Sequence, residues 1–143
     1  MMSCAEMAAR LNWAAVRAKA EIDIPTEAVV AKAEEKAKAA IGTYLFGWPQ
    51  LAESTQADRS AKGYSPNEPL LRTGAMRDSL AHRAELSAEG AEGVVFSDDV
   101  KALWAELGTS RGEPPRPFLF QSLLRCDAEI ESAFTAFIES LFG

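Results

Sequence analysis

Four groups of side chains in this sequence are of types that could do chemistry: the lone histidine His82, the adjacent carboxylates Asp98 and Asp99, the carboxylate Glu106, and the cysteines Cys4 and Cys126. A Ser-His-acid relay would need His82 beside a serine and a carboxylate. His82 instead lies in an alternating run, on the side shared with Leu80 and Leu86, so it reads as a partly buried structural residue, and neither a catalytic serine nor a Gly-x-Ser-x-Gly run is expected. Asp98 and Asp99 could hold a metal or move a proton, but they fall at an expected helix start, where capping and the helix dipole account for two carboxylates. Glu106 could act as a general base, yet no second titrating partner lies near it in sequence. The two cysteines are far apart and neither has a second Cys or His at ligand spacing, so they read as small apolar side chains in a reducing compartment. No glycine-rich phosphate loop of the P-loop or dinucleotide kind occurs. These readings imply no enzyme, no cofactor and no metal.

The residues that stand out carry no reaction. Arg72-Thr73-Gly74-Ala75-Met76-Arg77-Asp78-Ser79 and Pro114-Pro115-Arg116-Pro117-Phe118 set arginines in turning or stiff backbone. A guanidinium offers five donors in a rigid fork that suits carboxylates and carbonyls, and arginine and aromatic residues are enriched at interfaces. Turn chemistry plus solvated charge would account for the same residues.

The elements that must position them follow from periodicity. Leu11, Ala14, Ala15 and Ala18 recur at helical steps in an Ala-rich stretch, giving an N-terminal helical extension within residues 1–25. Pro25 disfavours helix at Ile24, and Thr26 can cap a long helix over residues 26–47. That helix is marked by Val29, Val30, Ala33, Ala37, Ala40, Ile41, Tyr44 and Leu45, with Gly47 and Pro49 as stop signals. Residues 48–78 read as a long polar loop, a segment that would serve assembly and order on a partner. Alternation around Ser79–Ser87 and the run Gly93–Phe96 make residues 79–97 an antiparallel hairpin, one face of which should pack on the long helix.

Ser97 or Asp98 then caps a short helix over residues 98–108, with Val100, Leu103, Trp104 and Leu107 on its apolar side and Gly108 at its end. Residues 109–119 are a proline-stiffened connector. Residues 120–142 form a C-terminal helix striped by Leu123, Ile130, Phe134, Phe137, Ile138 and Leu141. The expected fold is thus a single α+β domain, a small antiparallel sheet packed against a long N-terminal helix and a C-terminal helix with a long loop between.

The 143 residues suit one domain, and 48% hydrophobic with 25% charged residues is the balance of an ordinary globular chain. Residues 81–143 hold five basic and eleven acidic side chains and so carry the whole formal charge of −6. No basic stripe is present of the kind that clamps DNA phosphates. The start of the chain lacks the basic region of a signal peptide, and no apolar run suits a bilayer span.

Four segments in order carry a resemblance: Trp48-Pro49 with Leu51 and Thr55; Leu70-Leu71 with Thr73-Gly74, Met76-Arg77 and Ser79-Leu80; Trp104-Ala105-Glu106-Leu107-Gly108-Thr109; and Pro115-Arg116-Pro117-Phe118-Leu119. Over roughly residues 27–142 this pattern resembles the tail-completion family of tailed bacteriophages, whose relatives include virion morphogenesis and minor tail components and proteins of gene transfer agents. Each motif is common singly; their order and spacing carry the likeness. The family usually has tyrosine at the position of Trp104, and many relatives begin with a β-like segment where this chain has an Ala-rich helix.

The resemblance implies a small α+β virion protein of the phage neck or tail, assembled in the bacterial cytoplasm. It would form a ring of copies, a hexamer by the symmetry of phage tails, at the head-proximal end of the tail. Its neighbours would be head-completion or connector proteins and the tail tube or tail terminator, and a tail terminator role is the near alternative. DNA would pass through the ring without sequence-specific binding, and no membrane is involved. The expected assembly interface is Trp48, Arg72, Thr73, Gly74, Arg77, Glu106, Gly108, Thr109, Pro115, Arg116, Pro117 and Phe118, of which the resemblance itself marks Thr73-Gly74, Glu106, Gly108-Thr109 and Pro115 to Phe118 and the rest come from the arginine and aromatic side chains of the same segments. The acidic surplus of residues 81–143 is a candidate channel lining, since like charge would keep DNA from sticking. Outside this family, a small cytosolic module binding one protein partner through an apolar helix face fits the same residues.

Overall fold

The computed structural model describes residues 1–143 as seven helices and one antiparallel two-stranded sheet. The elements are α1 (Cys4–Glu21), α2 (Asp23–Ala40), α3 (Glu53–Ala61), α4 (Ala75–Asp78), β1 (Ala81–Ser87), β2 (Gly90–Phe96), α5 (Val100–Leu107), α6 (Leu119–Leu124) and α7 (Asp127–Phe142). The mixed helix-and-sheet class is as expected. The chain divides, however, into two compact units, each discontinuous in sequence: Met1–Lys32 with His82–Val94 and Cys126–Gly143, and Ala33–Ala81 with Val95–Arg125.

In the first unit α1 starts on a capping box, in which the Glu6 amide donates to Ser3 Oγ at 3.2 Å and the Ser3 amide to Glu6 Oε2 at 2.7 Å. It packs against α7, and the Arg17 guanidinium ties the two by donating to the Ser140 carbonyl at 2.9 Å. Pro25 falls in the first turn of α2, where a missing N–H costs nothing, so the helix begins at Asp23 rather than near Glu27. Thr26 Oγ1 donates back to the Ile22 carbonyl at 2.8 Å instead of capping. The hairpin does pack on α2. A Cβ on Gly93 would stand 2.6 Å from Val30 Cγ1 and 2.9 Å from Thr26 Cγ2, so only glycine fits that approach. His82 Nε2 sits 2.8 Å from Glu27 Oε1, which fixes the histidine as a link between strand and helix.

The second unit holds the larger core: Ala37, Ala40, Ile41, Trp48, Met76, Leu80, Ala102, Ala105 and Phe118, with Tyr44, Phe46, Leu70, Leu71 and Leu119 packed around them. α2 ends at Ala40, not near Phe46. Gly42 turns at φ +87° and donates its N–H to the Pro69 carbonyl at 2.8 Å, and a Cβ there would meet Leu71 Cδ2 at 2.9 Å. Tyr44 leaves the helix and uses its hydroxyl on Asn67 Oδ1 at 2.6 Å.

Three further expectations are corrected in this unit and its continuation. The 48–78 segment is not a loop awaiting a partner, because it contains α3 and α4. The cap of α5 is Asp99, whose side chain accepts from the Lys101 amide at 3.0 Å, one residue beyond Asp98. The expected helix over 120–142 is two helices, broken at Arg125 and Cys126. There Lys36 Nζ donates to the Arg125 carbonyl at 2.6 Å and the Arg125 guanidinium lies 4.3 Å from the centre of the Phe46 ring.

Candidate assembly interface

All four motif segments lie in the second unit, and three of them are bonded to one another. Trp48 Nε1–H donates to the Pro117 carbonyl at 3.1 Å, and the Arg116 guanidinium donates to the carbonyls of Pro49 at 3.0 Å and Gln50 at 3.4 Å. The Arg116 amide donates to the Ala105 carbonyl at 2.6 Å. Glu106 Oε1 accepts the Phe118 amide at 2.7 Å and the Leu119 amide as well, so its carboxylate satisfies N–H groups at the start of α6. Gly108 closes α5 at φ +76°, and a Cβ on it would stand 2.8 Å from the Glu113 carbonyl oxygen.

These contacts reassign most of the marked residues. Trp48, Gly74, Arg116 and Phe118 are buried, with Phe118 wholly so, and Glu106 is committed to its two amides. Within the unit these positions hold the fold, because their side chains pack and bond against their own chain. Gly74, at φ +86°, opens α4, and Met76 enters the core. Thr109 stabilises the turn after α5, its N–H donating to the Glu113 carbonyl at 3.1 Å, while Pro115 and Pro117 stiffen the return to α6. Arg72 and Thr73 remain exposed, and Arg77 is half-buried with Nε 3.6 Å from Asp78 Oδ1.

What these contacts position is α5. Its buried side is made by the small residues Ala102 and Ala105, while Val100, Leu103, Trp104 and Leu107, at i, i+3, i+4 and i+7, all face outward. Phe120, Leu123 and Leu124 do the same on α6, and these seven side chains are between 41 and 71% exposed. The apolar stripe of α5 is therefore surface.

The basic side chains sequence reading did not join lie beside it. Arg59, in α3, is buried and its Nη1 donates to the carbonyls of Glu68 at 2.9 Å and Leu71 at 2.7 Å, clamping the turn in which Leu70 adopts φ +64°. Burial, with the nearby Arg72 charge, pushes Arg59 below the usual guanidinium range. The Asp58 carboxyl is held below its ordinary value by its bond to Lys62 and by Arg72. Only a fold-level contact could have joined Arg59 to Arg72 and Arg116, since α3 carries no large apolar side chain to mark which of its faces is buried.

Of the candidate chemical residues, His82, Asp99 and Glu106 are engaged in structural hydrogen bonds, while Asp98 and Cys4 are exposed. No group of three or more His, Cys, Asp or Glu side chains is placed to hold a metal, and Cys4 and Cys126 form no disulfide. The run Gly108-Thr109-Ser110-Arg111-Gly112 does spell Gly-x-Ser-x-Gly, against the expectation that no such run is present. A nucleophile elbow requires strand, turn and helix, whereas this run follows a helix and leads into the proline connector. Ser110 borders a depression of about 440 Å³ whose lining includes no histidine. No helix is long and apolar enough to cross a membrane. Comparison with protein-family models, curated proteins and solved structures returns no match.

Proposed function

We propose that the chain is a structural subunit that joins copies of itself into a ring at the head-proximal end of a phage-type tail, completing the tail and joining it to the head while DNA passes through. The observation that carries this reading is the outward apolar face of α5, extended by the exposed residues of α6. Contiguous exposed apolar surface on a globular chain marks a protein contact, and a tryptophan flanked by leucines has the composition of an interface centre. The ordered motif segments support the same reading through their resemblance to the tail-completion family. Their internal bonds suit a scaffold that holds α5 and α6 in place for a neighbour.

A ring needs a heterologous contact, each subunit giving one surface and receiving on another, with closure fixing the copy number, six by the resemblance. Head-completion or connector proteins would lie on one side and the tail tube or terminator on the other, in the neck of the virion. The acidic residues of the second half suit a subunit past which DNA must slide without sticking.

Light scattering and negative-stain microscopy of the protein, alone and mixed with the tail-tube and head-completion proteins of the same source, test this. The expected result is a closed ring of defined mass, alone or on mixing. A monomer that joins neither would contradict it. A stable one-to-one complex without self-association would favour the single-partner binding module.

A further inference from the structure

A second feature of the second unit calls for a ligand. Between α3, the turn before α4, and α5 lies a cavity of about 420 Å³, a volume typical of small-molecule sites. Four basic side chains line it, Arg59, Arg72, Lys101 and Arg116, against one acidic residue, Glu113. This is a local positive surplus in a chain whose formal charge is −6.

The surplus is only partly offset. Arg59 and Arg116 are buried and spend donors on backbone carbonyls, which satisfy hydrogen bonds without cancelling charge. Arg72 lies 3.4 Å from Asp58 across an exposed pair that water screens, and the Lys101 ammonium makes no ion pair. The cations also act on one another, since Arg72 and Arg116 both work against the charge of Arg59. Like charges gathered in one concavity oppose folding and favour an anion there.

The rest of the lining is mostly apolar, with the hydroxyl-bearing Thr55 and Thr73 among it. Trp104 contributes an aromatic surface, with Met76 and Leu70 beside it. Leu70 holds the left-handed φ of +64°, a conformation that costs a leucine energy, and the Arg59 clamp on the carbonyls at either side of it fixes the turn. Strain of this kind is characteristic of sites whose shape matters.

We propose that this cavity binds an oxyanion carried on an apolar body, with Arg72 and Lys101 donating to the oxyanion, Arg59 and Arg116 supplying positive field from beneath, and Trp104 and Met76 receiving the body. A carboxylate or phosphate matches the guanidinium fork and the ammonium. Two sources present that chemistry: a free small anion, or a glutamate on the hairpin of another copy, where Glu89 in the turn and Glu92 on β2 are both exposed. The site stands whether or not copies assemble.

The test uses the full chain and the indole N–H resonance of Trp104, assigned by its loss in Trp104→Phe. Benzoate, its uncharged analogue benzamide, inorganic phosphate and a synthetic peptide of residues 84–95 are titrated in turn. Benzoate is expected to shift the resonance with a Kd of about 1 mM, as befits so small a ligand, and benzamide to leave it in place. Lys101→Ala and Arg72→Ala, both at exposed positions, should each weaken benzoate about tenfold with the melting temperature little changed. Competition by the peptide, lost on replacing its two C-terminal-strand and turn glutamates with glutamine, identifies the hairpin as the source. Saturation by phosphate with no competition from the peptide identifies a free anion. Equal shifts from benzoate and benzamide, no shift from any probe, or unchanged binding in both variants would overturn the site.

Discussion

Helices α2 and α5 carry the same kind of apolar periodicity and use it in opposite ways. The second half of α2 turns Ala33, Ala37 and Ala40 inward, with Ile41 buried just beyond its end, and no large apolar side chain of that half is left outside. α5 also buries alanines, Ala102 and Ala105, but sets Val100, Leu103, Trp104 and Leu107 toward solvent. Small residues allow close backbone approach in both helices, while in α5 the large side chains are left in solvent. A helical period shows that an apolar stripe exists; it does not show what covers it.

The contrast is broken most severely at the core. Phe118→Ala removes a fully buried ring and should cost about 3–5 kcal/mol in chemical denaturation, whereas Leu107→Ala on the outward stripe should change stability by less than about 0.5 kcal/mol. Equal losses at the two positions would mean that α5 is not a free face. A smaller effect comes from the motif residue that anchors α6. Glu106→Ala leaves the Phe118 and Leu119 amides without their acceptor and should cost about 2 kcal/mol, seen as a lowered denaturation midpoint.

The smallest effect lies in the other unit. Hydrogen bonds from Ser3 hold the Glu6 carboxyl below its ordinary value, so its contribution is fully present above the unfolded carboxylate range and is lost as pH falls through the lowered folded value. Acidification, or Ser3→Ala at neutral pH, should fray the first turn of α1, measured as lowered amide protection factors there, with those of α5 unaffected.

Much of the fold was legible where local chemistry decides it. The β-hairpin and the bounds of α5 follow from alternation and a terminal Gly108, and α1 follows from its Ala-rich helical spacing. The misses have tertiary causes. α2 stops at Gly42 because the Pro69 carbonyl and Leu71 meet it there, a partner 27 residues on that no local pattern reveals. α3 carries no large apolar side chain, and its one buried residue is an arginine whose donors face carbonyls. The break between α6 and α7 carries neither glycine nor proline and depends on Lys36 reaching the Arg125 carbonyl.

The candidate site was legible as an order of segments and misread as to their role. Trp48, Glu106, Arg116 and Phe118 belong together, but they meet inside the unit. Which helix face was left outside depends on packing volumes that a single sequence does not display.

The central claim, that the outward face of α5 is an assembly surface, is tested most directly by sedimentation velocity of the wild-type chain and Leu107→Glu under conditions where the wild type forms its ring. The expected result is a wild-type ring and a monomeric variant with an unchanged melting temperature, the charge at a buried contact weakening association at least about thirtyfold. A variant that assembles with wild-type mass would contradict it.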